Sequence, residues 1–160
     1  MNTVLIDNEW LAASLPDGFV SMPHDELEKL MGFKYDCMWG TRDEARHMVL
    51  CVTWKDANKF LAKLVGEKAV AKQINEVFTK RYRKSGYTYD RSFARTVNGA
   101  DKQAQGFRFV YDVEGVAQSG QILVFKRGVR CYTLRYFTRT EVEEENQPTL
   151  EAILASFEVR

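Results

Sequence analysis

From Tyr87 to Thr138, apolar residues recur at every second position of this 160-residue sequence, and no helical pattern interrupts them. That spacing is typical of β-strands with one buried face. The strand candidates are residues 87–97, 106–114, 116–126 and 130–138. Because Glu114-Gly115 and Arg127-Gly128 provide tight turns, the last three candidates are predicted to form a meander of antiparallel hairpins.

Two further hairpins are predicted in the first third of the chain. Residues 4–6 and 10–14 flank an Asp-Asn pair, whose side chains favour a turn. Residues 33–39 and 46–54 flank the polar segment 41–44, which we interpret as the connecting loop. The run over 46–54 is apolar on both faces, so it is predicted to lie inside a sheet that is covered on both sides.

Four segments show the spacing of apolar residues that predicts an α-helix. They are residues 23–31, 56–65, 67–84 and a last helix that contains Leu150, Ile153 and Leu154. Pro23 and Gly32 fit the start and the end of the first helix. The acidic residues 141–145 precede the last helix, and we interpret them as a solvated loop.

This order of elements predicts an α+β fold with a central antiparallel sheet and helices packed on its faces. A parallel doubly wound sheet is excluded, because it would need helices between the strands of residues 87–138. A chain of this length buries roughly 70% of the surface that its unfolded form exposes. With no repeat and no linker in the sequence, residues 1–160 are predicted to form a single domain.

Five segments of the sequence resemble the PsbP-like fold superfamily. They are Leu15-Pro16-Asp17-Gly18-Phe19, Ala71-Lys72-Gln73-Ile74, Gly106-Phe107-Arg108-Phe109, Tyr132-Thr133-Leu134-Arg135-Tyr136 and Ile153-Leu154-Ala155-Ser156-Phe157. That superfamily includes the extrinsic PsbP subunits of photosystem II, Ran-binding Mog proteins and many bacterial proteins of unknown role. The resemblance implies an α/β/α sandwich around an antiparallel sheet and a protein-binding role without catalysis. It specifies no ligand, because one fold supports many functions.

The N-terminal residues contain no basic segment followed by a long apolar stretch, so no signal peptide is recognised. No window approaches the ~18 apolar residues of a membrane span. Cys37, Cys51 and Cys131 form no Cys-x-x-Cys pair, and we interpret them as small buried side chains in a reducing compartment. The sequence therefore predicts a cytoplasmic protein.

No catalytic or metal-binding motif is found in the sequence. His47 and Cys51 share a strand face but lie about 13 Å apart, too far for the hydrogen bond that activates a thiolate. His24 stands beside Asp25 and Glu26 at a helix start, where acidic residues complement the helix dipole. There is no His-x-x-x-His, no calcium loop and no Gly-rich phosphate loop. We therefore expect no cofactor, no metal and no enzymatic activity.

Charge is unevenly distributed, although the whole chain carries a net charge of only +1. Residues 72–139 contain 14 basic and 5 acidic side chains, whereas residues 140–160 carry a net charge of −5. Three interpretations of the excess basic residues are compatible with this pattern. They are exposed to solvent, they are neutralised by residues 141–145, or they form a sheet face that binds an anionic partner. Because the pI of about 7.7 is well below the level usual for nucleic-acid-binding domains, we do not expect nucleic acid as the partner.

Three functional hypotheses are compatible with these observations. The leading one is a non-catalytic module that binds an unidentified protein partner. The second is an anion or nucleic-acid binder with a basic sheet surface formed by Arg83, Arg91, Arg95, Arg108, Arg127 and Arg135. The third is an enzyme whose catalytic groups come from separate strands, such as Cys131 with His47.

Overall fold

The computed structural model describes residues 1–160, which form ten β-strands and four α-helices. The strands are Asn2–Leu5 (β1), Leu11–Leu15 (β2), Val20–Ser21 (β3), Met38–Asp43 (β4), Met48–Asp56 (β5), Thr88–Arg95 (β6), Ala104–Val113 (β7), Val116–Arg127 (β8), Arg130–Arg139 (β9) and Glu158–Val159 (β10). The α-helices are His24–Met31 (α1), Lys59–Leu64 (α2), Glu67–Arg81 (α3) and Glu143–Ala155 (α4). None of the helices combines the length and the apolar character that a membrane span requires.

Seven strands form one antiparallel sheet in the order β3-β4-β5-β9-β8-β7-β6. Val113 pairs with Val116 and Arg127 pairs with Arg130, so the predicted meander through β7, β8 and β9 is confirmed. A second antiparallel sheet has the order β1-β2-β10. The hairpin predicted near the N-terminus is therefore confirmed, and its second strand also pairs with the last strand of the chain.

Both faces of the seven-stranded sheet are covered, which confirms the predicted α+β fold with helices packed on the faces of an antiparallel sheet. On one face, which we call the α4 face, the sheet packs against α4 and the small sheet, and Leu50, Leu134 and Phe157 are buried there. On the other face, which we call the α3 face, it packs against α1 and α3. Because Leu50 and Cys51 of β5 are buried on opposite faces, the prediction that this strand is covered on both sides is confirmed.

The centre of the α3 face is a layer of aromatic rings around Phe109. The rings whose centroids lie between 5.4 and 6.1 Å from that of Phe109 belong to Phe78, Tyr87, Phe107, Tyr111 and Phe137. Gly120 lies directly beneath this ring, where a Cβ atom would come within 2.2 Å of Phe109 Cζ. Aromatic pairs at such distances add to the stability gained by burial. The layer holds α3 against the sheet, and α3 forms a wall of the cleft described below.

The boundaries of the second predicted hairpin differ from the prediction. β4 begins at Met38 and includes most of the segment 41–44, whereas the sequence predicted a strand over 33–39 and a loop over 41–44. Thr41 is buried, and its hydroxyl donates to the carbonyl oxygen of Val20 at 2.9 Å. A buried polar side chain with a hydrogen-bond partner is stable within a strand. Its polarity alone, however, is also typical of a loop, which is why the sequence predicted one.

The acidic residues 141–145 do not form a solvated loop as predicted. The chain makes a 3-10 turn at Thr140–Val142, and residues 143–145 are the first turn of α4. Carboxylates are stabilised near a helix N-terminus because the helix dipole is positive there. Pro148 lies inside this helix. The other predicted helices are confirmed as α1, α2 and α3, with ends shifted by a few residues.

Candidate protein-binding cleft

A cavity of about 600 Å³ opens on the α3 face, next to α2 and α3 and above β9. Its floor contains alternate residues of β9, namely Cys131, Thr133 and Arg135, while Leu61 and Ile74 of the helices line its sides. A second cavity of about 300 Å³ lies between α1 and α3. The side chains that line both cavities are Phe33, Gln73, Ile74 and Arg135. Because they share these side chains, we treat the two cavities as one depression and call it the cleft.

The cleft is bordered by apolar side chains that are exposed to solvent. α2 buries none of its own residues, and its Phe60, Leu61 and Leu64 are 74%, 47% and 64% exposed. Further exposed apolar residues lie on the neighbouring α1 and α3 and beside them. We call the set the apolar rim, and it consists of Leu30, Phe33, Phe60, Leu61, Leu64, Val65 and Val77. A cluster of this kind marks an interaction surface in soluble proteins, whereas single exposed apolar residues do not.

Polar contacts stabilise both ends of α2, and those at its end hold it beside the cleft. At its start, the side-chain oxygen of Asn58 accepts a hydrogen bond from the N–H of Leu61 at 2.8 Å, which is a typical N-cap. At its end, Lys126 Nζ donates to the carbonyl oxygens of Ala62, at 3.2 Å, and Val65. The ends of the helix are therefore fixed by hydrogen bonds, and its apolar side chains remain free to contact another molecule.

Arg135 is the charged side chain at the place where the two cavities meet. Its Nη1 donates to the hydroxyl oxygen of Thr53 at 2.8 Å. The titratable groups that act on its charge are Cys51, Tyr82 and Arg81, and none of them is a carboxylate. Burial lowers the pKa of Arg135, because the charged form is separated from water. This cation is therefore partly desolvated without a carboxylate to compensate it.

The other arginines that are half-buried do have carboxylate partners. Their pairs are Arg42–Glu26, Arg95–Glu151, Arg108–Glu143, Arg130–Asp7 and Arg139–Glu141. Such pairing is the usual arrangement, since an uncompensated buried charge is costly. Arg135 differs from these arginines because it is half-buried without a carboxylate partner.

Replacing Arg135 with Met should raise the free energy of unfolding by about 1 kcal/mol, because the variant no longer has to desolvate an unpaired cation. The unbranched Met side chain matches the aliphatic part of the arginine, so the packing of that part on the sheet is largely kept. Urea denaturation measures the change, and Arg91→Met, at an exposed position, serves as the control with an expected change within about 0.5 kcal/mol. A loss of stability on Arg135→Met would show that the guanidinium holds the fold together.

The six arginines predicted to form one basic surface are divided between the two faces of the sheet. Arg91 and Arg108 are paired neighbours on the α4 face, where Arg95 also lies and contacts Glu151 of α4. Arg108 is neutralised by Asp90 at 2.9 Å and by Glu143. The remaining positions are Arg83 in the 3-10 turn after α3, Arg127 at the end of β8 and Arg135 in the cleft. A binding role for the arginines outside the cleft stays a prediction.

The pair Cys131 and His47 does not come together. His47 lies in the turn between β4 and β5, whereas Cys131 lies opposite Lys55 at the far end of β5. His47 and Lys55 are eight residues apart along the strand, which corresponds to roughly 26 Å. Burial raises the pKa of the Cys131 thiol and that of Cys51, the latter to about 12, so neither is a ready nucleophile. The proposed pairing of Cys131 with His47 was therefore wrong.

Comparisons with known proteins agree with the fold. No model of a known protein family matches the chain, and no curated protein matches it either. Solved structures do match. The cyanobacterial PsbP of Synechocystis has a TM-score of 0.69 at 12% identity, over 99% of this chain and 92% of that one. The chain has the PsbP-like fold.

Two other solved structures extend this comparison. The Ran-binding protein Mog1p of Saccharomyces cerevisiae matches with a TM-score of 0.62 and 9% identity, over 99% of this chain and 94% of its own. A Bacteroides thetaiotaomicron protein matches with a TM-score of 0.63 and 9% identity, over 99% of this chain. The present chain spans about half of that protein, 48% of its length. Identities this low establish a shared fold and nothing more specific.

Proposed function

We propose that the chain is a non-catalytic module that binds another protein in the cleft and on the apolar rim. The observation that carries this proposal is α2, a helix with three large apolar side chains, none of which is buried. Exposed apolar side chains around a concave surface are typical of peptide-binding grooves. The structural neighbour Mog1p is a Ran-binding protein, which supports a role in protein binding for this fold. A cytoplasmic location is part of the same proposal.

The partner we propose is a protein segment that carries apolar side chains. Leu61 and Val65 line the larger cavity, and Leu30 and Val77 line the smaller one, so an apolar segment can bury area along both. Each large apolar side chain that becomes fully buried contributes about 1.5–3 kcal/mol. Several such contacts are needed to overcome the entropy that association costs.

The test is selection from a peptide display library on the immobilised chain, followed by affinity measurement on synthetic peptides. The wild type should enrich peptides with several apolar residues. The double variant Leu61→Ser/Leu64→Ser should bind them about tenfold more weakly or worse, because two contacts on the rim are lost. The matched control is Val113→Ser/Val116→Ser, which removes two exposed apolar residues at the β7–β8 turn and should leave the affinity unchanged.

Results of two kinds would contradict the proposal. The first is the absence of enriched peptides, or an equal loss of affinity in the control double variant. The second is self-association: if sedimentation shows a dimer that Leu61→Ser/Leu64→Ser converts to a monomer, the rim is occupied by a second copy of the chain rather than by a different protein.

A further inference from the structure

The floor of the cleft has a donor group that the fold does not use. A guanidinium carries five N–H donors, and the side-chain hydrogen bond that Arg135 makes within the chain is the one to Thr53. The same side chain lines both cavities, so its other donors face the space between the helices and the sheet. An arginine that is fixed at one nitrogen and open at the others is arranged to receive a planar, two-oxygen anion.

The charged side chains that line the two cavities are mostly basic, and the one carboxylate among them is paired. Arg81 lines the smaller cavity, and its guanidinium donates to carbonyl oxygens at the end of α1. Lys126 lines the larger cavity. The carboxylate that lines it, Asp56, is bound by Arg130 through two hydrogen bonds of 2.7 and 3.1 Å. The cleft therefore holds an excess of positive charge within apolar walls.

Apolar walls make this charge more effective. Attraction between a cation and a carboxylate strengthens as water is excluded, because the effective dielectric constant falls. A segment that buries apolar side chains against Ile74 and Leu61 would exclude water from Arg135 at the same time. The ligand that fits both features is a carboxylate flanked by apolar groups.

We propose that Arg135 binds an acidic side chain of the partner segment, so that the cleft selects a Glu or Asp flanked by apolar residues. This inference rests on the proposed function, since it assigns the partner chemistry of the same cleft. It accounts for an otherwise unfavourable feature, the unpaired arginine, because residues that contradict the local rules of folding are commonly retained for function.

The experiment uses two pools of N-acetylated, C-amidated nonapeptides. In both pools the flanking positions are drawn from Leu, Ile, Val and Phe, and the ends are Ser; the central residue is Glu in one pool and Gln in the other. The immobilised full chain is incubated with an equimolar mixture, and mass spectrometry measures the ratio of retained Glu to Gln peptides. The wild type should retain the Glu peptides about tenfold more strongly, the gain expected for a bidentate charged contact.

Variants separate the contact from general binding. Arg135→Gln should bring the ratio close to one while retention of the Gln pool is unchanged, which also shows that the variant is folded. Arg135→Lys should keep part of the preference, because the charge remains but the planar fork is lost. The control Arg91→Gln removes an arginine on the other face of the sheet and should leave the ratio at its wild-type value.

The outcomes distinguish this inference from the proposed function. Retention of both pools with a ratio near one in the wild type overturns the inference and leaves the binding module intact. If neither pool is retained, both the inference and the proposed function are overturned. A preference for Glu that persists in Arg135→Gln assigns the acidic contact to another residue and overturns the inference. A third arm adds 4-phenylbutyrate at the peptide concentration, and displacement of the Glu pool would show that the cleft is a site for small organic acids instead.

Discussion

Replacing Arg130 with Met should lower the free energy of unfolding by about 3–5 kcal/mol, because it leaves a buried carboxylate without its counter-charge. Arg130 Nη1 donates to Asp7 Oδ2 at 2.6 Å, and Asp7 is only 3% exposed. Tyr132 donates its hydroxyl to the same oxygen at 2.8 Å, but a neutral donor cannot replace the charge. The pair also joins the small sheet region to β9, so the loss affects how the two sheets pack. Urea denaturation at neutral pH measures the change.

The effect of Arg130→Met should depend on pH in a defined direction. A hydrogen bond from Arg130 lowers the pKa of Asp56 below its ordinary value of 3.8. A carboxylate whose pKa is lowered on folding stabilises the protein above its ordinary pKa and loses that contribution as the pH falls through the lowered value. The difference in stability between wild type and variant should therefore be constant near neutral pH and shrink below about pH 4.

A matched variant shows whether the buried charge is responsible for this loss. The double variant Arg130→Met/Asp7→Asn removes both charges of the pair and should recover a large part of the stability that Arg130→Met loses. If the single variant loses less than about 1 kcal/mol, or the double variant is no better, the ion pair does not stabilise the fold in the way described.

Truncating Phe109 to Ala should cost about 3–5 kcal/mol of unfolding free energy, the usual range for a buried phenylalanine. The ring is fully buried at the centre of the aromatic layer, and it lies over Gly120, so the space left behind cannot be filled by a neighbour on β8. Phe109→Leu keeps much of the volume and should cost clearly less than Phe109→Ala. Thermal and urea denaturation both measure these changes.

The comparison variant for Phe109→Ala is Phe60→Ala, in the apolar rim. Both substitutions delete the same ring, but Phe60 is 74% exposed, so its loss should change stability by no more than about 0.5 kcal/mol. The two variants therefore separate the aromatic side chains that stabilise the fold from those available to a partner. A large loss on Phe60→Ala would mean that α2 is packed more deeply than described, and it would count against the proposed function.

The sequence predicted the sheet well because period-two alternation and tight turns are local signals. The meander from β7 to β9 follows directly from alternating residues such as Phe107 and Phe109 and from glycines at the turns. The two-sided burial of β5 was also visible, since it leaves an unbroken apolar run. The prediction failed where polar residues take part in the packed structure, as at Thr41 in β4 and at the glutamates that start α4.

The candidate site was less predictable, because it depends on which residues come together. Phe60, Leu61 and Leu64 have the spacing of an ordinary buried helix face, and only the tertiary structure shows that nothing covers them. Arg135 was one of six arginines with no local feature to distinguish it. What sets it apart is that no carboxylate of the neighbouring strands and helices pairs with it, and this depends on contacts between residues that are far apart in sequence.

The position of β2 between β1 and β10 has a consequence for the order in which the chain folds. Leu11 pairs with Val159, so completing the small sheet requires contact between residues separated by almost the whole chain. Contacts of such high sequence separation form slowly, because a long loop has to close first. During synthesis, β2 can pair with β10 only after β10 has left the ribosome. The strands β6 to β9 pair as consecutive hairpins, and we expect this part of the large sheet to form before the core beneath α4 closes.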